Sequence, residues 1–186
     1  EGLGSLREKA ARLETLAGIV AQRIAPAAAM AATRAALLCK TDLLSEMIGS
    51  GKEYASLEGV MGGHYARRAG EPEDVAAAIA DQYRPRGPAD SLPLTDAGAV
   101  LAIADKLDHV AGAFVAGKVP SGSEDPYGVR RAANGVVRIL IELGLHLDLG
   151  ESTEQALAPF LAANTALAKE ELPAKLGAFW RERVRG

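Results

Sequence analysis

Apolar residues recur along this chain at intervals of three and four and nowhere sustain a strict alternation, so the pattern predicts helices and no strands. From Leu6 to about Ile24, Leu13, Leu16, Ala17 and Val20 fall on one helical face. Ser5 with Glu8 three residues later fits a capping box. Pro26 opens a second helical run to about Ile48, with Leu37, Leu44 and Ile48 on one face and Leu38 at its edge. Gly49, Ser50 and Gly51 end it. Between Leu57 and Arg68 two adjacent glycines weaken helix propensity, which predicts a helix that starts or bends at Gly62–Gly63. A further helix is expected over Glu73–Tyr83, before a loop with three prolines.

The stretch from Asp96 to Arg138 carries most of the chemistry. It predicts one helix from about Thr95 to Phe114, a loop GKVPSGSEDP, and a second helix from Pro126 to Leu143. On the first, Val100, Leu101, Ala104, Leu107 and Ala111 form the apolar stripe. At about 100° per residue Asp108 lies inside that stripe and Asp105 beside it, while Lys106 and His109 fall outside. An acid on an apolar face must be paired, hydrogen-bonded or turned into a cleft. On the second helix Arg131, Asn134, Arg138 and Glu142 line a polar face. Helical segments from Ser152, with Pro159 inside, over Ala162–Ala168, and over Pro173–Val184 complete an all-α chain.

Composition narrows the function classes. With 48% hydrophobic residues in 186 a core is expected, filled mainly by Ala, Leu, Val and Ile because aromatics are 4%. A net charge of -3 excludes a uniformly basic nucleic-acid binder and leaves room for a local basic patch. One cysteine, Cys39, suits a reducing compartment, and no apolar run approaches the roughly 18 residues of a membrane span. The chain starts without Met and ends in a charged tail, and it is read as a piece of a longer protein.

The candidate chemistry is incomplete. His64, His109 and His146 show no metal-ligand spacing, and Cys39 has no thiol neighbour. Asp105 and Asp108 suit either an acid–base or cation-binding pair or a packing salt bridge. GKVPSGSEDP lacks the Gly-Lys-Ser/Thr order of a phosphate loop and follows a helix. Arg130 and Arg131, with Lys118 near, suit phosphate groups or salt bridges to Asp105, Asp108, Glu124 or Asp125. No catalytic constellation is complete.

Five stretches taken together carry a resemblance: LGSLREKAARLETLA, ATRAALLCKTDLLSEM, LEGVMGGHYARRAGEPEDVAAAI, LAIADKLDHVAGAF and SGSEDPYGVRRAANGVVRIL. In this order and spacing they resemble the β subunit of bacterial glycyl-tRNA synthetase, from about Leu3 to Leu149. The resemblance implies an HD-domain-like helical bundle over residues 1–150, with 151–186 as a helical extension. It implies a cytoplasmic α2β2 glycine–tRNA ligase in which ATP, Mg and the glycine site belong to the α subunit. Partners would be tRNA(Gly), the α subunit and other β-subunit domains, with no membrane and no cofactor or metal in this stretch. Active HD enzymes hold a divalent metal on an early His, a His-Asp pair and a later Asp. Here Cys39-Lys40 or Thr41-Asp42 stands at the pair, no histidine precedes His64, and Asp105 matches the late aspartate. Lys40, Asp42, His64 and Asp105 are therefore expected to form a vestigial site without metal or catalysis, bridged by Lys40 with Asp42 or Asp105. The expected role is positioning the tRNA acceptor region through phosphate contacts from Lys118, Arg130, Arg131 and Arg138, with Arg67 and Arg68 as a second patch. The rivals are a working HD phosphohydrolase and a scaffold for subunit assembly.

Overall fold

A computed structural model describes residues 3–120, 125–163 and 171–185, and these are helical with no strand. Helix α1, Leu6–Ile24, begins as the capping box requires: Glu8 N–H donates to Ser5 Oγ at 3.2 Å, and Ser5 N–H donates to Glu8 Oε2 at 2.7 Å. Its Leu13, Leu16, Ala17 and Val20 are buried.

The second predicted helix is instead broken. A short 3₁₀ turn over Pro26–Ala28 leads into α2, Ala29–Leu38. A 3₁₀ turn over Thr41–Leu44, the short α3 over Glu46–Gly49 and a 3₁₀ segment over Lys52–Leu57 follow. The buried face of α2 is Ala32, Ala35 and Ala36, whereas Leu37 and Leu44 are exposed. Small side chains won because α1 and α2 pack closely, Ala17 and Ala21 sharing a core with Ala32, Ala35 and Ala36. The larger leucines lie on the other side.

Helix α4 runs Val60–Arg68 and α5 runs Glu73–Asp81, ending two residues before Tyr83. Helix α4 starts at Val60, two residues before the paired glycines, which lie inside it. A Cβ on Gly62 would lie 2.8 Å from Ile79 Cγ2, and one on Gly63 would lie 2.7 Å from the Ala76 carbonyl oxygen. The glycines let α4 lie against α5, and that packing offsets a propensity cost of about 1 kcal/mol each.

Helix α6, Asp96–Val115, is the axis of the fold, capped by Thr95 Oγ1, which accepts from Gly98 N–H. It packs against α1, α2, α5, α7, Val129–Glu142, α8, Leu149–Ala163, and α9, Glu171–Arg185. It is consequently buried on nearly every side, and Lys106, expected outside the stripe, is only 7% exposed. Helix α7 starts at Val129 rather than Pro126. Residues 121–124 of the predicted loop and 164–168 of the predicted Ala162–Ala168 helix lie outside the described residues. No helix among those described is long and apolar enough to cross a membrane.

Candidate functional site

Two carboxylates on successive turns of α6 face α1, and this placement organises the site. Asp108 accepts from Arg12 Nε at 2.7 Å and from Lys9 Nζ at 2.8 Å. Asp105 Oδ1 lies 3.1 Å from Lys9 Nζ and 3.0 Å from Lys40 Nζ. Lys9 and Arg12 are three apart on α1, so both reach across the same interface. Lys40 comes from the turn after α2 and is 5% exposed. Its ammonium donates to Gln82 Oε1 at 2.7 Å and to the Tyr83 hydroxyl at 3.2 Å, and lies 4.3 Å above the Tyr83 ring. Gln82 in turn donates from Nε2 to the carbonyls of Cys39 and Ile79.

Burial opposes ionisation of Asp105, yet the Lys40 and Lys9 ammonium groups hold its carboxyl well below the usual carboxylate range. Burial likewise penalises the Lys40 ammonium, and the Asp105 charge overcomes it and raises its pKa. Tyr83 is pushed up to about 12 by burial, with Lys40 opposing. These shifts favour an ionised Asp105 beside a protonated Lys40, and the cluster ties α1, the turn after α2 and α6 together. Lys106 differs: among the described residues it touches no carboxylate, and it donates to the Tyr83 and Arg84 carbonyls at 3.2 and 2.8 Å. Burial, opposed by Asp105 and reinforced by Lys40, lowers its pKa to about 8.

Two cavities flank this clasp. One, of about 390 Å³, is lined by Lys40, Tyr83, Arg86, Lys106 and Arg131 among others. The second, of about 510 Å³, is lined by Arg12, Asp108, Lys118 and Tyr127 among others. Leu6, Lys9 and His109 line both, so the two adjoin along the α1–α6 face. Among the described residues no three His, Cys, Asp or Glu side chains converge as a metal would need.

The family model for the glycyl-tRNA synthetase beta subunit matches residues 1–186. The chain belongs to this family. A glycine–tRNA ligase beta subunit of Nitratidesulfovibrio vulgaris (Miyazaki F) is 47% identical over 98% of the chain and 26% of its own length. That of Azotobacter vinelandii is 51% identical over 85% of the chain and 22% of its own length. That of Acidithiobacillus ferrooxidans is 44% identical over the whole chain. The chain thus spans about a quarter of the length of the curated relatives it matches.

Within this glycyl-tRNA synthetase β-family chain, the four residues expected at one vestigial site divide. Lys40 and Asp105 meet. Asp42 is buried but turned elsewhere, its Oδ2 accepting the Gly59 N–H at 2.7 Å. There it fixes the entry to α4, where Gly59 takes φ +80°. The pairing of Lys40 with Asp42 therefore does not form, and the pairing with Asp105 does. His64 is exposed on α4 and does not join them.

The basic candidates also divide. Lys118 is exposed, its ammonium 5.4 Å from the Tyr127 ring centre, and Arg131 is exposed with its Nε 3.7 Å from the Asp125 carboxylate. Arg130 is half-buried, and its backbone N–H, like that of Arg131, donates to the Asp125 carboxylate from the first turn of α7. The N-cap position itself is Gly128, in the left-handed region at φ 68°, one residue before the helix begins at Val129. Arg138 is a latch: it donates to the Gly87 and Asp90 carbonyls and pairs with Glu142. Arg67 closes its fork on Glu73, while Arg68 is exposed beside it.

Lys9, Arg12, Gln82, Tyr83, Arg86 and Lys106 were not among the expected site residues. The spacing of Lys9 and Arg12 beside the Leu13–Leu16 face was a usable signal. So was α6 itself, apolar or small at almost every position, which marks a helix buried all round.

Proposed function

We propose that this helical domain positions tRNA through its phosphates while the complete enzyme attaches glycine to tRNA(Gly) with ATP, the aminoacylation site belonging to an α subunit. The observation that supports this most is the groove formed by the two adjoining cavities, where Lys118 and Arg131 stand at the surface and Lys9, Arg12 and Lys106 stand deeper. Phosphate contacts of this kind fix register and orientation without reading bases, which suits a part remote from the chemistry. In this reading the domain is a degenerate HD-like bundle, with the Lys40 ammonium bound to Asp105 where an active enzyme would hold a cation. Arg138 serves the fold, and Arg67 and Arg68 form a second, weaker patch, since Arg67 is committed to Glu73.

Lys118→Gln combined with Arg131→Gln in the full-length enzyme tests this. The expected result is a raised KM for tRNA(Gly) with the KM for glycine and ATP unchanged. An unchanged KM for tRNA would reject the groove as the contact. A scaffold role in subunit assembly is the second reading, favoured by the exposure of Met30, Leu44, Leu94 and Ile141. In that case the Leu94→Ser and Ile141→Ser substitutions, and not the charge substitutions, would weaken association with the α subunit.

A further inference from the structure

The 390 Å³ cavity carries more positive charge than its own carboxylates balance. Five basic side chains line it, Lys9, Lys40, Arg86, Lys106 and Arg131, against two acids, Glu58 and Asp105. Asp105 is in contact with Lys9 and Lys40, and it acts on Lys106 only at longer range. Lys106 is the sharpest case. It is 7% exposed and, among the described residues, donates to two carbonyls alone; an ammonium has three N–H groups, so one donor remains. The Tyr83 hydroxyl accepts from Lys40, which leaves its own hydrogen to donate. At the mouth, the Arg131 side chain is 65% exposed and, among the described residues, its guanidinium meets a carboxylate at Asp125, 3.7 Å away, while both terminal nitrogens of Arg86 reach carbonyl oxygens. We infer that this cavity is a binding site for a phosphate monoester carried on a nucleotide-sized group.

Charge and size select that class. A monoester carries about 1.5 to 2 negative charges at neutral pH and three acceptor oxygens, against one charge for an internal phosphodiester. A bare phosphate leaves most of the volume unfilled, whereas about 300 Å³ and upward is the range of small-ligand sites. Leu6, Leu43, Pro85 and Ala132 supply an apolar wall for the sugar or base. The lowered pKa of Lys106 has the same origin, a buried cation near Lys40 and Arg86 that a bound anion would relieve. Such a site goes beyond phosphodiester contacts along the groove and does not depend on them, because a free nucleotide and the 5′ end of an RNA present the same chemistry.

Calorimetric titration of the full-length enzyme with uridine 5′-monophosphate and with uridine tests it, alongside an RNA hairpin bearing either a 5′-phosphate or a 5′-hydroxyl. The monophosphate should bind where uridine does not. Arg131→Gln, at an exposed position, should weaken that binding about tenfold, as expected for one charged hydrogen bond, and Lys106→Met should abolish it. A hairpin that binds more tightly with its 5′-phosphate identifies an RNA end as the source. Monophosphate binding without that discrimination identifies a free nucleotide. Either result upholds the site. Absence of both effects overturns it, as does binding that neither substitution moves. Wild-type tRNA binding that shows no salt dependence would count against the groove alone and leave the cavity standing.

Discussion

Removing Asp105 or Lys40 singly should cost far more than removing both. In Asp105→Leu the Lys40 ammonium, 5% exposed, keeps only Gln82 and the Tyr83 hydroxyl, with no counter-charge in contact. In Lys40→Met, Asp105 retains Lys9, but Gln82 Oε1 loses its donor inside the core. Breaking a buried pair from one side costs about 3–5 kcal/mol, because a charge stays buried without its partner. In the double variant both charges leave, Lys9 keeps Asp108 at 2.8 Å, and the residual penalty is mainly the orphaned Gln82 carbonyl. That penalty is about 1–3 kcal/mol. The coupling between the two sites is therefore expected to be about 3 kcal/mol or more. Urea denaturation of wild type, both singles and the double, with the slope checked for constancy, measures it. Single effects that add to within about 0.5 kcal/mol would refute the reasoning, since independent sites behave that way.

Three further outcomes follow from the same geometry. Lys106 has a folded pKa near 8 against an ordinary 10.5, so the unfolded chain binds the extra proton between those values and stability rises with pH across that window. The rise is at most about 3 kcal/mol at 1.36 kcal/mol per unit, and the difference between wild type and Lys106→Met at pH 7 and pH 10 isolates it from Cys39, which burial holds protonated up to about 12. Gly63→Ala would drive a methyl to 2.7 Å from the Ala76 carbonyl, and thermal denaturation should show a net loss of about 1–2 kcal/mol despite the helix-propensity gain. Arg138→Ala should release the 84–93 loop from α7, lowering stability by about 1–2 kcal/mol while leaving tRNA affinity unchanged, as read by denaturation and filter binding.

How much of this could be read from the chain follows from local physics. The capping box at Ser5 and the Leu13–Val20 face needed only neighbours in sequence, and both stand in the structure as the pattern places them. The run from Pro26 to Ile48 misled because leucines outweigh alanines in a hydrophobic face, while packing against α1 selected the alanines. The glycine pair misled because propensity says nothing of the α5 carbonyl that excludes a side chain. Asp105 and Asp108 were correctly seen as acids on an apolar face that need partners, but those partners come from α1 and the turn after α2, nearly a hundred residues away for Arg12. Lys106 was placed outside because a wheel assumes a solvent side, and the central helix has almost none. The order of the five motif stretches pointed to the family, which whole-chain similarity to glycine–tRNA ligase beta subunits then showed.

The central claim is that the groove beside α6 holds RNA by its phosphates. The salt dependence of tRNA(Gly) binding by the full-length enzyme tests it most directly, comparing wild type with Lys118→Gln and Arg131→Gln. Each cation that neutralises a phosphate adds about 0.7–0.9 to the slope of log affinity against log salt, so the two substitutions together should flatten that slope by about 1.5. A slope that neither substitution changes would contradict the claim.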